Sequence, residues 1–149
     1  MIQLNLPDFE LKTRIEKGKV QVFDVVRRKF VALTPEEWVR QHYVNFLTVH
    51  KGVPVSQIAV EKQLKVNNLS KRADIVVFKG GQLPILAIEV KAPSVEINED
   101  VFHQLLRYNM PMHVDYLGVT NGLRHIYCRI DYQSRKAEYI EDLPDYAYL

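Results

Sequence analysis

Residues Arg72–Pro93 read RADIVVFKGGQLPILAIEVKAP, and this stretch decides how the chain folds. Residues 73–79 and 84–91 are runs rich in Ile, Val and Phe, punctuated by Gly80-Gly81, which predicts two antiparallel strands. Among these apolar residues stand Asp74, near the start of one strand, and Glu89 and Lys91, near the end of the other. With a two- or four-residue loop, Lys79 faces Gln82 and residue 74 faces residue 87. Residues two apart on a strand share a face, as do cross-strand partners. Asp74, Ala87, Glu89 and Lys91 then fall on one face, with Asp74 diagonal to Glu89, and Val76, Phe78 and Ile85 continue that face into the core. A three-residue loop would break this parity.

Ionised groups beside a core are costly unless they are paired or bind a metal. Two neighbouring carboxylates repel and call for a cation. An all-oxygen site with room for water suits Mg²⁺, with Mn²⁺ as a substitute. A lysine two residues beyond Glu89 sets an ammonium beside such an ion, and this combination can hydrolyse a phosphodiester. The competing reading is an ion bridge at the ends of two strands, since structural ion networks also occur.

Working outward, "FELKTRIE" (9–16) and the stretch 19–26 around "VQVFDVV" predict a hairpin. Thr34-Pro35-Glu36-Glu37 marks a helix start, with Thr34 as N-cap, Pro35 in the first turn and Glu37 completing a capping box. This helix is expected to run to about His50, before Gly52. A third strand follows at 58–67, ended by the polar turn NNLSK. Asn98 is expected to cap a helix over about 99–109. "VDYLGVT", an Asn121-Gly122 type I′ turn and "RHIYCRI" predict a further hairpin, and a short strand is expected after residue 136. The sum is one α+β domain over 1–149, a mixed sheet flanked by helices, with an N-terminal hairpin (9–26) and a core of about 30–131.

The chain has 149 residues, 47% hydrophobic and 26% charged, the profile of a globular protein able to bury a core. No apolar run approaches the roughly 20 residues that cross a bilayer, and MIQLNLPDFE lacks the pattern of a secretory signal. The lone Cys128 excludes an internal disulfide and fits a reducing cytoplasm. A net charge of +2 neither demands nor excludes a nucleic-acid partner, because charge can be local. Lys62, Lys65, Lys71, Arg72 and Lys79 cluster around one pair of strands, either as a solvated face or, for the first four, as a phosphate-binding surface. The five histidines show no metal-ligand spacing.

Asp74 followed by Glu89-Val90-Lys91 resembles the PD-(D/E)XK nuclease signature. "LTPEEWVRQ", "VEKQL", "KRADIVVF", "IEVKAP", "QLLRYN" and "VTNG" resemble, in order, the N-terminal nuclease domain of type I restriction endonuclease R subunits. The likeness spans roughly residues 25–130. Ala73 stands where that signature often has proline. The resemblance implies a restriction-endonuclease-like α/β/α fold and Mg²⁺-dependent DNA cleavage. Asp74, Glu89 and the Val90 carbonyl would hold the ion, and Lys91 would assist the attacking water. It also implies a carboxylate on the opening helix. Glu36 and Glu37 compete for that role. At about 100° per residue, Val39, Tyr43, Phe46 and Leu47 define the apolar face, with Glu36 near its edge and Glu37 well aside. Glu36 also stands four residues before Arg40, so Glu36 is favoured. Gln104 and Tyr108, on one helix face, resemble a Q-x-x-x-Y motif that orients the lysine or a phosphate. Family members work beside a translocating ATPase and other restriction-modification subunits, yet the chain has no G-x-x-x-x-G-K-[ST] loop. The alternative is a nucleic-acid-binding or assembly module that keeps the nuclease fold without turnover.

Overall fold

A computed structural model describes residues 1–66, 69–81, 83–109 and 113–149, with side chains at all of these except 64–66, 69–71, 108 and 109. Among the described residues the fold has two sheets and two main helices. A small antiparallel sheet comprises β1 (Thr13–Glu16), β2 (Lys19–Asp24) and β3 (Lys29–Ala32). Helix α1 follows (Pro35–Asn45) and widens into a π-helical turn over Phe46–His50, where Lys51 N donates to Phe46 O. The large sheet is built from β4 (Ile58–Val66), β5 (Leu69–Lys79), β6 (Leu83–Val90), β7 (Tyr116–Thr120), β8 (His125–Asp131) and β9 (Lys136–Ile140), in that spatial order. Helix α2 (Glu99–Asn109) connects β6 to β7, and these two strands are parallel while all other pairs are antiparallel. The sheet is therefore mixed, as a helical crossover between parallel neighbours requires.

Each face of the large sheet has its own core. Ile75, Val77, Leu86, Ile88 and Val90 pack against Val39, Tyr43 and Leu47 of the α1 segment. Val76, Ala87, Leu117 and Val119 pack against Ile97 and against Phe102 of α2. Both N-cap side chains bond as expected: Thr34 Oγ1 accepts from Glu37 N at 3.0 Å and Asn98 Oδ1 from Val101 N at 2.9 Å. The predicted N-terminal hairpin is shorter, beginning at Thr13, and gains a third strand.

The central hairpin departs from the predicted register. Lys79 pairs with Leu83, so three residues separate the strands rather than two or four. That spacing alone would reverse the parity. A bulge between Val77 and Phe78 leaves Ile85 as an extra residue and reverses it again, so Val76 pairs with Ala87 and Ile75 with Ile88. Asp74 is thus opposite Glu89, where the sequence pattern set it diagonally. The bulged Ile85 packs on the α1 side, away from Val76.

The Asn121-Gly122 segment also differs from expectation. Thr120 pairs with His125, leaving a four-residue loop in which Gly122, and not Asn121, has positive φ (84°). Asn121 Oδ1 accepts from Leu123 N and Arg124 N, so a side chain organises the loop instead of a type I′ turn.

This loop also holds the N-terminal segment. Asn5 N donates to Gly122 O, and His125 Nε2 donates to Asn5 O at 3.0 Å while its Nδ1 faces Thr120 Oγ1 at 2.7 Å. Burial, the larger influence, holds the His125 pKa below its ordinary value, against the raising effects of the Asn5 carbonyl and Asp142. A histidine with a depressed folded pKa stabilises fully above its unfolded value, about 6.5, and loses that contribution as pH falls below it. The melting temperature is expected to decline between pH 7 and pH 5, and less steeply in His125→Gln, which stays neutral. Equal slopes would show that His125 does not titrate on unfolding.

At Gly118 in β7, an added Cβ would lie 2.7 Å from Ile88 Cδ1 and 2.7 Å from Tyr127 Cδ1. Tyr127 is held by a 2.9 Å hydroxyl contact with buried Tyr43. Gly118→Ala is expected to cost about 1–3 kcal/mol by overpacking. A urea midpoint unchanged from the parent would mean that the ring and Ile88 give way freely.

Candidate active site

Asp74 in β5 lies at the centre of a row of carboxylates. The register carries Glu89 of β6 opposite it on one side. On the other, Val60 pairs with Ile75 and Lys62 with Ala73, which sets Glu61 of β4 opposite Asp74. Glu61 has left-handed backbone (φ 54°) inside a strand, a conformation that costs a non-glycine residue about 1–3 kcal/mol and persists where surroundings enforce it.

Asp74 is the anchored member. Its Oδ2 accepts from Val90 N at 2.8 Å, and its Oδ1 is 3.6 Å from Arg40 Nη2. Glu89 is the perturbed one. Burial above all, and then the Asp74 charge and a hydrogen bond to Asp74, raise its pKa to about 7, against the opposing pull of Lys91. A carboxyl raised in this way beside a second carboxylate marks a close pair of oxygen donors that a cation would relieve. Lys91 Nζ is 3.3 Å from Glu89 Oε1 and partly exposed. A cleft of about 260 Å³ beside them is lined by Arg72, Glu89, Lys91, Val101, Gln104 and Leu105. Gln104 of α2 therefore shares a cleft with Lys91.

Two arginines close the other side of the row. Arg40 of α1, almost fully buried, contacts Glu37 Oε2 and Glu36 Oε1 at 2.9 Å each, and Glu61 Oε1 at 3.8 Å. Among the described residues its Nε finds no hydrogen-bond partner. Arg27, from the β2–β3 turn, binds Asp24 Oδ2 at 2.6 Å, Glu61 Oε2 at 3.4 Å and Glu37. For Asp24, burial raises the pKa, but the hydrogen bonds from Arg27 outweigh it and hold the carboxyl below its ordinary value.

The helix carboxylates reverse their expected places. Glu37 is buried and its carboxylate engages Arg27, Arg40 and Gln41, while Thr34 N donates to Ala32 O. The capping box is therefore half made, by the Thr34 hydroxyl alone. The Glu36 side chain is 47% exposed and held only by Arg40 among the contacts described. The apolar stripe predicted one buried face for α1. The three-stranded sheet lies over a second face, where Val22 is buried and a groove of about 380 Å³ borders Gln41, Val44 and Thr48.

Lys62 is exposed and Arg72 pairs with Glu61 Oε1 at 2.7 Å. The side chains of Lys65, Lys71 and Tyr108 lie outside the described residues. Among the described residues, no group of three or more His, Cys, Asp or Glu side chains converges to hold a metal. The site thus offers a pair of carboxylates rather than a closed protein cage.

Sequence reading missed Arg27 and the bracing role of Asn121. Lys91 N donates to Thr120 O, and Asn121 Nδ2 donates to Val95 O at 2.8 Å. These bonds fix the chain leaving β6. The "VTNG" string was visible, but its partners lie about 25–30 residues upstream and carry no local signal.

Over residues 35–144 the sequence matches the family model described as type I restriction enzyme R protein N terminus (HSDR_N). In fold, the chain is similar to a fragment of a protein assigned as an HsdR subunit of a type I restriction enzyme from Vibrio vulnificus YJ016. That match has a TM-score of 0.53 and 18% identity, and covers 75% of this chain and 24% of that one. The chain therefore spans about a quarter of that relative's length. Curated proteins give no significant match. No helix among the described residues is long and apolar enough to cross a membrane. With the family model covering most of its length, this chain belongs to the type I restriction enzyme R protein N-terminal family.

Proposed function

We propose that this domain is a metal-dependent endonuclease of the PD-(D/E)XK kind, with a restriction-endonuclease-like core, that hydrolyses DNA phosphodiesters. The observation that carries the reading is the opposed Asp74–Glu89 pair, with the Glu89 pKa raised to about 7 and the Lys91 ammonium alongside. This donor set fits Mg²⁺ or Mn²⁺, which take one or two carboxylates and keep several waters. Asp74, Glu89 and the Val90 carbonyl would hold the ion, which supplies phosphate polarisation and a more acidic water. Lys91 orients the attacking water and stabilises charge on the phosphate oxygens. Gln104 orients Lys91 or a phosphate across the cleft, with Tyr108 as a donor to a phosphate oxygen. Glu36, half-exposed, serves as an outer carboxylate. Lys62, Lys65, Lys71 and Arg72 contact the DNA backbone. In the assembled enzyme the domain would act with a translocating motor and other restriction-modification subunits in the cytoplasm.

The test is nicking of supercoiled DNA in Mg²⁺, Mn²⁺ or EDTA. Cleavage is expected with either ion and not in EDTA. Cleavage that persists in EDTA would overturn the metal assignment. A second reading, a nucleic-acid-binding or assembly module without turnover, is favoured by the absence of a three-ligand cluster among the described residues. Duplex binding without metal-dependent nicking would select it.

A further inference from the structure

The basic charge of this chain is concentrated outside the region matched to the family. Residues 12–29 contain seven Lys and Arg against two acids, Glu16 and Asp24, in a chain whose net charge is only +2. The rest of the molecule is therefore net acidic. Of the seven, Arg27 is committed to Asp24, Glu37 and Glu61. The other six, Lys12, Arg14, Lys17, Lys19, Arg28 and Lys29, are exposed.

Their arrangement is ordered. The strands β1 and β2 pair from Thr13↔Val22 to Glu16↔Lys19 and close through a two-residue turn, Lys17-Gly18, with φ of 50° and 76°. The tip stands clear of the body: residues 12–20 are all exposed, and on the face that buries Val22 farther along, Ile15 is 76% exposed and its partner Val20 45%. On the outer face, Phe23 and Phe30 meet edge to face at 5.3 Å. Lys12 Nζ lies 5.1 Å from the Phe23 ring centroid, and the Arg14 guanidinium 4.0 Å from that of Phe30. Arg14 is further oriented by Gln21 Oε1 and Glu16. These contacts pre-arrange the cations and lower the entropy lost when they meet an anion.

We infer that the β1–β2 ribbon is a second nucleic-acid contact surface that grips the phosphates of duplex DNA away from the scissile bond. It rests on the DNA-cleavage reading only in its choice of partner. A two-stranded ribbon fits the major groove of B-DNA, about 12 Å wide, and a run of exposed cations complements a polyanion. The ribbon is also tied to the site: β2 runs from the tip to Asp24, which holds Arg27, which reaches Glu61. Six strand residues span roughly 20 Å, or about six base pairs at about 3.4 Å each. The ribbon thus sets where along the duplex the domain is held.

The experiment is fluorescence anisotropy of a labelled duplex of roughly 30 base pairs, in EDTA so that cleavage does not enter, across a range of NaCl concentrations. Lys12→Gln/Lys17→Gln/Lys19→Gln is expected to weaken binding roughly tenfold to a hundredfold. It should also lower the salt slope by about 0.9 per lost contact, so by about 2.7. Lys17→Arg/Lys19→Arg should bind like the parent, as should Lys136→Gln on β9 at the far edge of the large sheet. A triple variant with parental affinity and slope overturns the inference and leaves the cleavage reading untouched. So does a parent that fails to bind duplex, because cleavage is judged separately by the nicking assay. Loss of binding in the arginine variant overturns the inference as well, because the charge that is said to bind is kept there, and so does tighter binding of a labelled single strand of the same sequence run beside the duplex.

Discussion

Lys91→Ala is expected to abolish DNA cleavage while leaving divalent-ion affinity unchanged or slightly raised, whereas Asp74→Ala and Glu89→Ala lose both. The separation follows from what each substitution deletes. Asp74 and Glu89 are opposed oxygen donors on adjacent strands, and loss of either removes a ligand. The Lys91 ammonium is 3.3 Å from a Glu89 oxygen. It competes with a bound cation for that carboxylate, so its removal frees a ligand. What is lost is an oriented positive group beside the reacting phosphate, typically worth about 10²–10³ in rate. Calorimetric titration with Mn²⁺, run beside single-turnover cleavage, measures both quantities on each variant. Parental cleavage by Lys91→Ala would reduce the lysine to a bridge partner of Glu89 and sink the mechanism.

Arg40→Met is expected to destabilise the fold by about 3–5 kcal/mol, the usual result of removing one partner from a buried ion network. Arg40 is 4% exposed and faces Glu37, Glu36, Asp74 and Glu61. Burial disfavours its charge, yet the surrounding carboxylates outweigh this and raise its pKa, with Glu37 the leading partner. Without the guanidinium, Glu37 keeps Arg27, but Asp74 loses the only cation described within 4 Å of it. Glu36→Gln provides the contrast, since its half-exposed carboxylate forms a surface pair worth about 0–1 kcal/mol. The double variant Arg40→Met/Glu37→Leu should lose less than the sum of its parts, because the two share one network. Urea unfolding resolves these differences. A loss below about 1 kcal/mol in Arg40→Met would show that the charges relax into solvent without the arginine.

The sequence by itself determined the local structure and the chemical candidates. Short-range rules suffice for these: Thr34 and Asn98 cap the helices that follow them, and β-rich runs alternate by two. Asp74, Glu89 and Lys91 stand out because charge among buried apolar residues is costly enough to need a reason.

Tertiary structure alone decided how these elements meet. The hairpin parity survived through two cancelling departures, a three-residue spacing and a bulge, and neither is encoded in alternation. The roles of Glu36 and Glu37 were set by which sheet covers α1. A helical wheel shows an apolar stripe, but it does not show that Arg27, ten residues earlier, returns to bury Glu37. Arg27 also reaches Glu61 across 34 positions, and Asn121 reaches Val95 across 26. Such pairings carry no periodic signal. Their energy comes from removing charges and amides from water together, and only the folded chain decides which groups share that desolvation.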